Sequence, residues 1–138
     1  MDNKKILIVD DDPDVRHGMH VRLKANHYDT FFASDGLSGM VEARKHQPDL
    51  IILDLGLPAG DGFAVMERLK AIPALAVIPI VVVSARDVRA NKARAVQAGA
   101  NAFLQKPVDT AEFLAVIRRA LGEPAHAAKP IVYDLGSG

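Results

Sequence analysis

Four short apolar runs, Ile6–Val9, Leu50–Leu53, Ile80–Val83 and Ala102–Gln105, each stop at a polar side chain: Asp10, Asp54, Ser84 and Lys106 in turn. Runs of this length, mostly rich in Ile, Leu and Val and separated by stretches of helical periodicity, predict buried strands of a parallel sheet. Parallel strands share one polarity, so the four polar residues are expected along a single edge. In open α/β sheets ligands sit in the crevice beyond the carboxyl ends of the strands. The pattern therefore predicts a site together with a fold.

The intervening segments supply the helices. Asp12-Pro13 has the form of an N-cap followed by proline at the first helical position, and Val15, Met19 and Leu23 recur at helical spacing, which predicts a helix from Pro13 to Asn26. Tyr28–Ala33, with two further aromatics and a Thr, predicts the second strand. Ser34-Asp35-Gly36 turns the chain into a helix carrying Leu37, Met40, Val41 and Ala43, which Gln47-Pro48 ends. Gly56, Pro58, Gly60 and Gly62 crowd the loop after the third strand, so its backbone must turn tightly or approach something closely. Helices are then expected over Phe63–Ala71 and Val88–Ala98, with Ile72–Pro79 as a connector and Ala98-Gly99-Ala100 as a stop. The fifth strand is expected over Asn101–Gln105. Asp109 or Thr110 caps a last helix whose Phe113, Leu114, Val116, Ile117 and Leu121 make a wide apolar stripe. Five strands thus alternate with five helices in one α/β domain over residues 1–121. Residues 122–138 differ: Gly-Glu-Pro-Ala-His-Ala-Ala-Lys-Pro has the composition of a linker, and Ile131-Val132-Tyr133 is a short apolar patch that follows it.

Composition narrows the functional classes. At 138 residues one domain with a full core is expected. The 17 basic and 17 acidic residues cancel, so no general attraction to nucleic acid or to an anionic membrane is expected, and any charge logic must be local. The absence of cysteine rules out disulfides, thiolate metal sites and thiol catalysis. Met1–Lys5 is followed by only four apolar residues before three aspartates, which is neither a signal peptide nor a membrane span. A cytoplasmic protein is the expectation.

Asp10-Asp11-Asp12 is the densest acidic run. Acidic groups ahead of a helix are favoured by its dipole and by its unpaired N–H groups, which suits Asp12 and Asp14. That reading does not account for Asp54, which reaches the same sheet edge from another strand. Two carboxylates about 5 Å apart repel by roughly 3 kcal/mol at an effective dielectric near 20, so a positive charge is needed among them. Magnesium, which keeps waters while taking one or two carboxylates, matches a partly open all-oxygen site. Lys106 adds a compact positive charge able to hold a phosphoryl oxygen or a carboxylate. Ser84 would cap a turn in another setting; beside this set it is a candidate phosphoryl ligand. An ionised Asp54 can form a covalent acyl phosphate, a reaction that asks the protein mainly for positioning and for charge on the equatorial oxygens. His17 and His20, at i and i+3 on the first helix, lack a third ligand nearby and are taken as surface histidines.

These residues resemble the receiver domain of response regulators, the phospho-accepting half of two-component systems. The resemblance covers Lys4 to Leu121. It rests on Ile-Leu-Ile-Val-Asp-Asp ending at Asp11, Leu-Asp-Leu-Gly-Leu-Pro around Asp54, Gly60-Asp61-Gly62, Val-Ser-Ala ending at Ala85, and Ala-Gly-Ala followed by Lys-Pro ending at Pro107. It implies a flavodoxin-like, doubly wound parallel sheet of order 2-1-3-4-5. It also implies phosphoryl transfer to Asp54 from a histidine on a partner kinase or phosphotransfer protein. Asp11, Asp54 and the Gly56 carbonyl would ligate Mg²⁺, with Asp10 helping through water. Ser84 and Lys106 would hold the phosphoryl oxygens, and the Lys106–Pro107 bond would be cis. Phe103 stands where the family often has a tyrosine that rotates inward on activation; a phenylalanine has no hydroxyl and favours burial in both states. Gly56 and Arg86 occupy two positions that tune phosphoryl hydrolysis in this family. Gly56 offers no side chain to exclude water, whereas Arg86 can cover the site.

The expected function is a phosphorylation-dependent signalling switch rather than a turnover enzyme. Phosphorylation would draw Ser84 inward and reshape the surface of the fourth helix, fifth strand and fifth helix, which controls an output partner or a homodimer. Arg89, Lys92 and Arg94 make that fourth helix basic. Two other readings compete. One is a haloacid-dehalogenase-like phosphatase built on Asp10-x-Asp12, although Asp14 stands where that motif wants a threonine. The other is a receiver fold used as a binding module without phosphorylation.

Overall fold

A computed structural model describes residues 3–57 and 62–123. The strands are β1 (Lys5–Val9), β2 (Asp29–Ala33), β3 (Leu50–Leu53), β4 (Ile80–Ser84) and β5 (Ala102–Gln105). The helices are α1 (Pro13–Ala25), α2 (Gly36–His46), α3 (Gly62–Ala71), α4 (Pro73–Ala76), α5 (Val88–Ala98) and α6 (Thr110–Ala120). All strand pairs are parallel, in the order β2-β1-β3-β4-β5, as expected. Successive strand residues point to opposite faces, and both faces are covered. Leu7, Val9, Ile51, Leu53, Ile80, Val82 and Phe103 pack with Met40 of α2, Met66 of α3 and Leu75 of α4. Ile6, Ile8, Leu50, Ile52, Val81, Val83 and Leu104 pack with Met19 and Leu23 of α1 and with Phe113, Val116 and Ile117 of α6. That double burial explains why the strands are unbroken apolar runs rather than alternating ones.

Helix starts follow their local chemistry. The Asp12 carboxylate accepts from the backbone N–H of Asp14 at 2.9 Å and of Val15 at 3.4 Å, with Pro13 in the first turn. Asp109, not Thr110, caps α6, through the Glu112 N–H at 3.1 Å. Among the described residues six helices form where five were expected. The connector after α3 contains the one-turn α4, because Pro73 fits a first helical position without losing a hydrogen bond and Leu75 is drawn into the core. The helix after β4 is accordingly α5, and the surface expected of the fourth helix belongs to α5, β5 and α6. Tyr28 lies just before β2 rather than in it, since its N–H closes the end of α1 on the Leu23 carbonyl at 3.1 Å. Pro58, Gly60, Asp61 and residues 124–138, including Ile131-Val132-Tyr133, lie outside the described residues.

At the end of the sheet away from Asp54, buried Tyr28 donates its hydroxyl to Glu123 at 3.0 Å, and Lys4 pairs with the same carboxylate at 3.5 Å. Burial, and then the neighbouring Glu123 carboxylate, push the Tyr28 phenol up to about 12 from its ordinary 10.0. The fold holds this proton where the unfolded chain releases it. The Tyr28 contribution to stability is therefore intact below about pH 10 and disappears as pH climbs toward the folded value. Ultraviolet titration should show one of the two tyrosines ionising in this late range, and Tyr28→Phe should remove that phase while leaving the other.

A close backbone approach lies under the site. A Cβ at Gly62 would stand 2.5 Å from the Asp54 carbonyl oxygen and 2.7 Å from the Leu55 Cα, both backbone atoms that cannot swing aside. At Gly18, inside α1, a Cβ would meet nothing within 4 Å. Urea denaturation should show Gly62→Ala losing about 1–3 kcal/mol to overpacking and Gly18→Ala gaining about 0.5–1 kcal/mol from helix propensity and chain entropy.

Candidate functional site

Register builds the site. Val9 of β1 lies opposite Leu53 of β3, so Asp10 and Asp54 leave adjacent strands at one level. The Asp10 N–H donates to the Ala33 carbonyl and the Asp54 N–H to the Val9 carbonyl, each at 3.0 Å. On the other side Ser84 lies opposite Gln105, and the Lys106 N–H donates to the Ser84 carbonyl at 2.8 Å, which carries the lysine to the same edge. Each of Asp10, Asp11 and Asp54 offers a carboxylate oxygen within 4.8 Å of the other two. Asp10 is 1% exposed and Asp54 7%, whereas Asp11 faces solvent.

The Lys106 ammonium bridges the two buried acids, 2.8 Å from Asp10 Oδ2 and 3.3 Å from Asp54 Oδ2. Asp10 Oδ1 also accepts from the Asp12 N–H at 2.9 Å, and Asp54 Oδ1 from the Gly56 N–H at 3.0 Å. Burial raises the Asp10 carboxyl above its ordinary range; the hydrogen bonds and charge of Lys106 and Asp12 N–H pull it down without cancelling the rise, and Asp54 adds the smallest push. Repulsion between the acids is the lesser cause of this rise. Desolvation is the larger one, because Asp10 sits beneath the edge rather than on it. Burial tends to lower Lys106, and its hydrogen bond to Asp10 and the charges of Asp10 and Asp54 reverse that, leaving it raised.

The remaining expected residues divide clearly. Ser84 is buried at the end of β4, where its Oγ accepts from the Arg86 N–H at 3.2 Å. Gly56 and Arg86 are exposed, on the loops after β3 and β4. A side chain at position 56 would begin 3.6 Å from Asp54 Oδ1, an ordinary contact distance, so the glycine leaves that flank of the acid open. Phe103 is fully buried in the core of the sheet. The Lys106–Pro107 peptide is cis. Asp12 is engaged in capping α1 and is not among the clustered acids. His20 bonds Thr30 Oγ1 at 2.6 Å, and neither His20 nor His17 joins a possible metal-holding group among the described residues. Sequence reasoning missed Arg16, whose guanidinium donates to the Asp10 carbonyl at 2.6 Å. Its only signal is a cation one turn into a helix that starts from the acidic loop.

A carboxylate cluster at the strand ends of a 2-1-3-4-5 sheet, bridged by a lysine, is the arrangement of a phosphoryl-accepting signalling module. The chain belongs to the response regulator receiver domain family, whose model matches residues 6–118. It is 40% identical over 117 residues to the DNA-binding dual master transcriptional regulator RpaA of Synechocystis, covering 85% of this chain and 48% of that protein. It is 32% identical over 120 residues to the polar-differentiation response regulator DivK of Brucella anthropi, covering 87% of this chain and 98% of that protein. Among solved structures, a response regulator from Chloroflexus aurantiacus superposes with a TM-score of 0.82 at 30% identity, over 88% of this chain and 99% of that one. The receiver domain of the sensor histidine kinase PA1611 from Pseudomonas aeruginosa, solved with magnesium coordinated in its active-site cleft, gives 0.80 at 26%, over 88% and 99%. The chain spans about half the length of RpaA and of the matched KdpE regulators. RpaA is named as a DNA-binding regulator, which stands against the expectation, drawn from the balanced charge, of no nucleic-acid contact. No helix among the described residues is long and apolar enough to cross a membrane.

Receiver domains are phosphorylation switches of two-component systems that work with histidine kinases and output domains, a signalling family rather than one of turnover enzymes. The family binds Mg²⁺ at an acidic pocket, and the donors fit that ion: three carboxylates against one ammonium leave the pocket negative, its ligands are all oxygen, and Asp11 keeps one side open to water.

Loss of Lys106 isolates the most buried acid. Lys106→Met should destabilise the metal-free protein by about 3 kcal/mol, the usual cost of stranding a buried charge. Asp10→Asn in the same background should recover much of that loss in urea melts.

Proposed function

We propose that Asp54 accepts a phosphoryl group from a phosphohistidine on a partner kinase or phosphotransfer protein, and that the modified domain presents an altered α5–β5–α6 surface to an output partner or a second copy. The observation that carries this is the Lys106 bridge between two buried carboxylates from adjacent strands. An Asp54 oxygen attacks phosphorus, the P–N bond to the donor imidazole breaks, and the nitrogen keeps the electron pair. Asp11, Asp54 and the Gly56 carbonyl would hold Mg²⁺, with Asp10 acting through water. The ion supplies charge neutralisation at the phosphoryl oxygens. Lys106 is already hydrogen-bonded to Asp54, so a short displacement brings its ammonium to a phosphoryl oxygen. The Ser84 hydroxyl donates to a second oxygen, a role open to it while its Oγ accepts the Arg86 N–H. Gly56 leaves the acyl phosphate open to water and Arg86 can screen it, so the pair sets how long the group lasts.

The surroundings support these roles. A groove of about 400 Å³ between α1 and the segment after β5 is lined by Val15, Met19, Pro107 and Val108 and includes Lys106, which suits a partner element that carries the donor histidine. On the other side, α5 buries only Val88 and Ala95, whereas α6 buries Phe113, Val116 and Ile117. At roughly 1.5–3 kcal/mol for each large apolar side chain buried, α5 is the more easily displaced helix. It also follows directly on the Ser84–Asp87 loop. The phosphatase reading loses its second aspartate, because the Asp12 carboxylate caps α1.

Intact-mass analysis after incubation with acetyl phosphate and Mg²⁺ should show the gain of one phosphoryl group in the wild type and none in Asp54→Ala. Millimolar Mg²⁺ at neutral pH should raise the melting temperature, and Asp11→Ala should abolish most of that rise. A wild type that takes up no phosphoryl group overturns the proposal, as does a modification that persists in Asp54→Ala.

A further inference from the structure

Asp11 poses a positioning problem. Asp10 is held by its N–H on Ala33, by its carboxylate on Asp12 and Lys106, and by its carbonyl on Arg16; Asp54 is held by the Val9 carbonyl, the Gly56 N–H and Lys106. Asp11 is exposed, and its carboxylate has no hydrogen-bond partner among the described residues, yet it offers an oxygen within 4.8 Å of both neighbours. Its placement rests on its backbone. The Asp10 carbonyl and the Asp11 N–H belong to one planar peptide, so fixing the direction of that carbonyl fixes the plane from which the Asp11 side chain departs. The group that fixes it is the Arg16 guanidinium, at 2.6 Å.

Resting on the magnesium site argued above, we propose that Arg16 is a positioning residue of that site, which aims Asp11 at the ion through the Asp10–Asp11 peptide. Arg16 is suited to this by its place one turn into α1, since the Asp12 cap and Pro13 set the start of the helix and Arg16 Nη1 then reaches back to the loop that begins it. A charged donor to a carbonyl is also stronger and shorter than a neutral one.

Charge and position predict opposite signs here, which makes the role testable. Arg16 is a cation beside a cation site, so if it acted by charge alone its removal would tighten Mg²⁺ binding. Removal of an anchor behind a ligand weakens binding, commonly by about 10–100-fold. Calorimetric Mg²⁺ titrations of the wild type, Arg16→Met and Arg16→Lys separate the two. The methionine keeps most of the apolar stem without the donor; the lysine keeps a cationic donor. The expected result is an affinity about tenfold weaker in Arg16→Met and within about threefold of wild type in Arg16→Lys. Acetyl phosphate labelling of Arg16→Met should need more Mg²⁺ for half-maximal rate and recover the wild-type rate at saturation. Unchanged or tighter Mg²⁺ binding in Arg16→Met overturns the role, as does a rate deficit that saturating Mg²⁺ does not restore. Equal melting temperatures of the three proteins in chelator would place the effect in the site, whereas a methionine variant whose weaker binding is matched by loss of the fold in chelator would overturn it. If the wild type itself binds no Mg²⁺, it is the metal assignment that fails, an outcome distinct from a wild type that binds and a variant that binds equally well.

Discussion

Parallel register between β1 and β3 is the constraint on which the site depends. With Val9 opposite Leu53, the next residue on each strand is an aspartate, and the two acids emerge side by side with little solvent to screen them. A sheet tolerates this only where a cation is built in, and Lys106 provides it from the end of β5, two strands beyond β3. The lysine cannot be moved along β5 without losing both contacts, because the Lys106 N–H bond to the Ser84 carbonyl fixes the level at which its side chain leaves. Fold and site therefore share one set of backbone hydrogen bonds.

The same geometry makes the pocket incomplete by charge. Lys106 offsets one of three carboxylates, and burial has already raised Asp10. Because the folded Asp10 carboxyl lies above its unfolded value, this group subtracts stability as pH rises from the unfolded toward the folded range, and the deficit remains at neutral pH. Lys106, raised by its acids, adds stability below its unfolded range and loses it as pH rises through the folded value. At neutral pH the site carries an electrostatic cost that a bound divalent ion would relieve, which would tie metal binding to the stability of the domain.

Much of this was legible in the sequence because the informative residues terminate strands. An apolar run that ends in Asp, Ser or Lys fixes both a strand and the edge it points to, and the parallel order then assembles Asp10, Asp54, Ser84 and Lys106. Cap residues were legible for the same local reason, as with Asp12 before Pro13. The elements that escaped depend on tertiary contacts. α4 is four residues long, too short for any periodicity, and forms because Leu75 finds the core. Tyr28 has strand chemistry yet serves the end of α1 and the Glu123 contact. The cause of the Asp10 shift required knowing how deep the carboxylate sits. Arg16 is one arginine among many until its guanidinium is seen on a carbonyl.

Phe103 constrains how such a site can report its state. It is fully buried against the sheet core and has no hydroxyl to exchange one hydrogen bond for another, so a rotation out to solvent would expose a large apolar ring with no polar gain. In the proposed cycle the signal would therefore leave by another element at the pocket, and the Ser84–Asp87 loop is the one that leads into α5. Ser84 Oγ accepts the Arg86 N–H there at 3.2 Å and its hydroxyl hydrogen can donate to a phosphoryl oxygen, so a serine drawn toward that oxygen would pull on the loop. Such a pull would reach the residue just ahead of Asp87, which caps α5 through the Arg89 N–H at 3.2 Å. A helix with so little buried surface follows its cap. In the proposed cycle the transmission that a buried tyrosine hydroxyl would share falls on that loop, and the size of the output would depend on how far α5 can shift before Val88 and Ala95 leave the core.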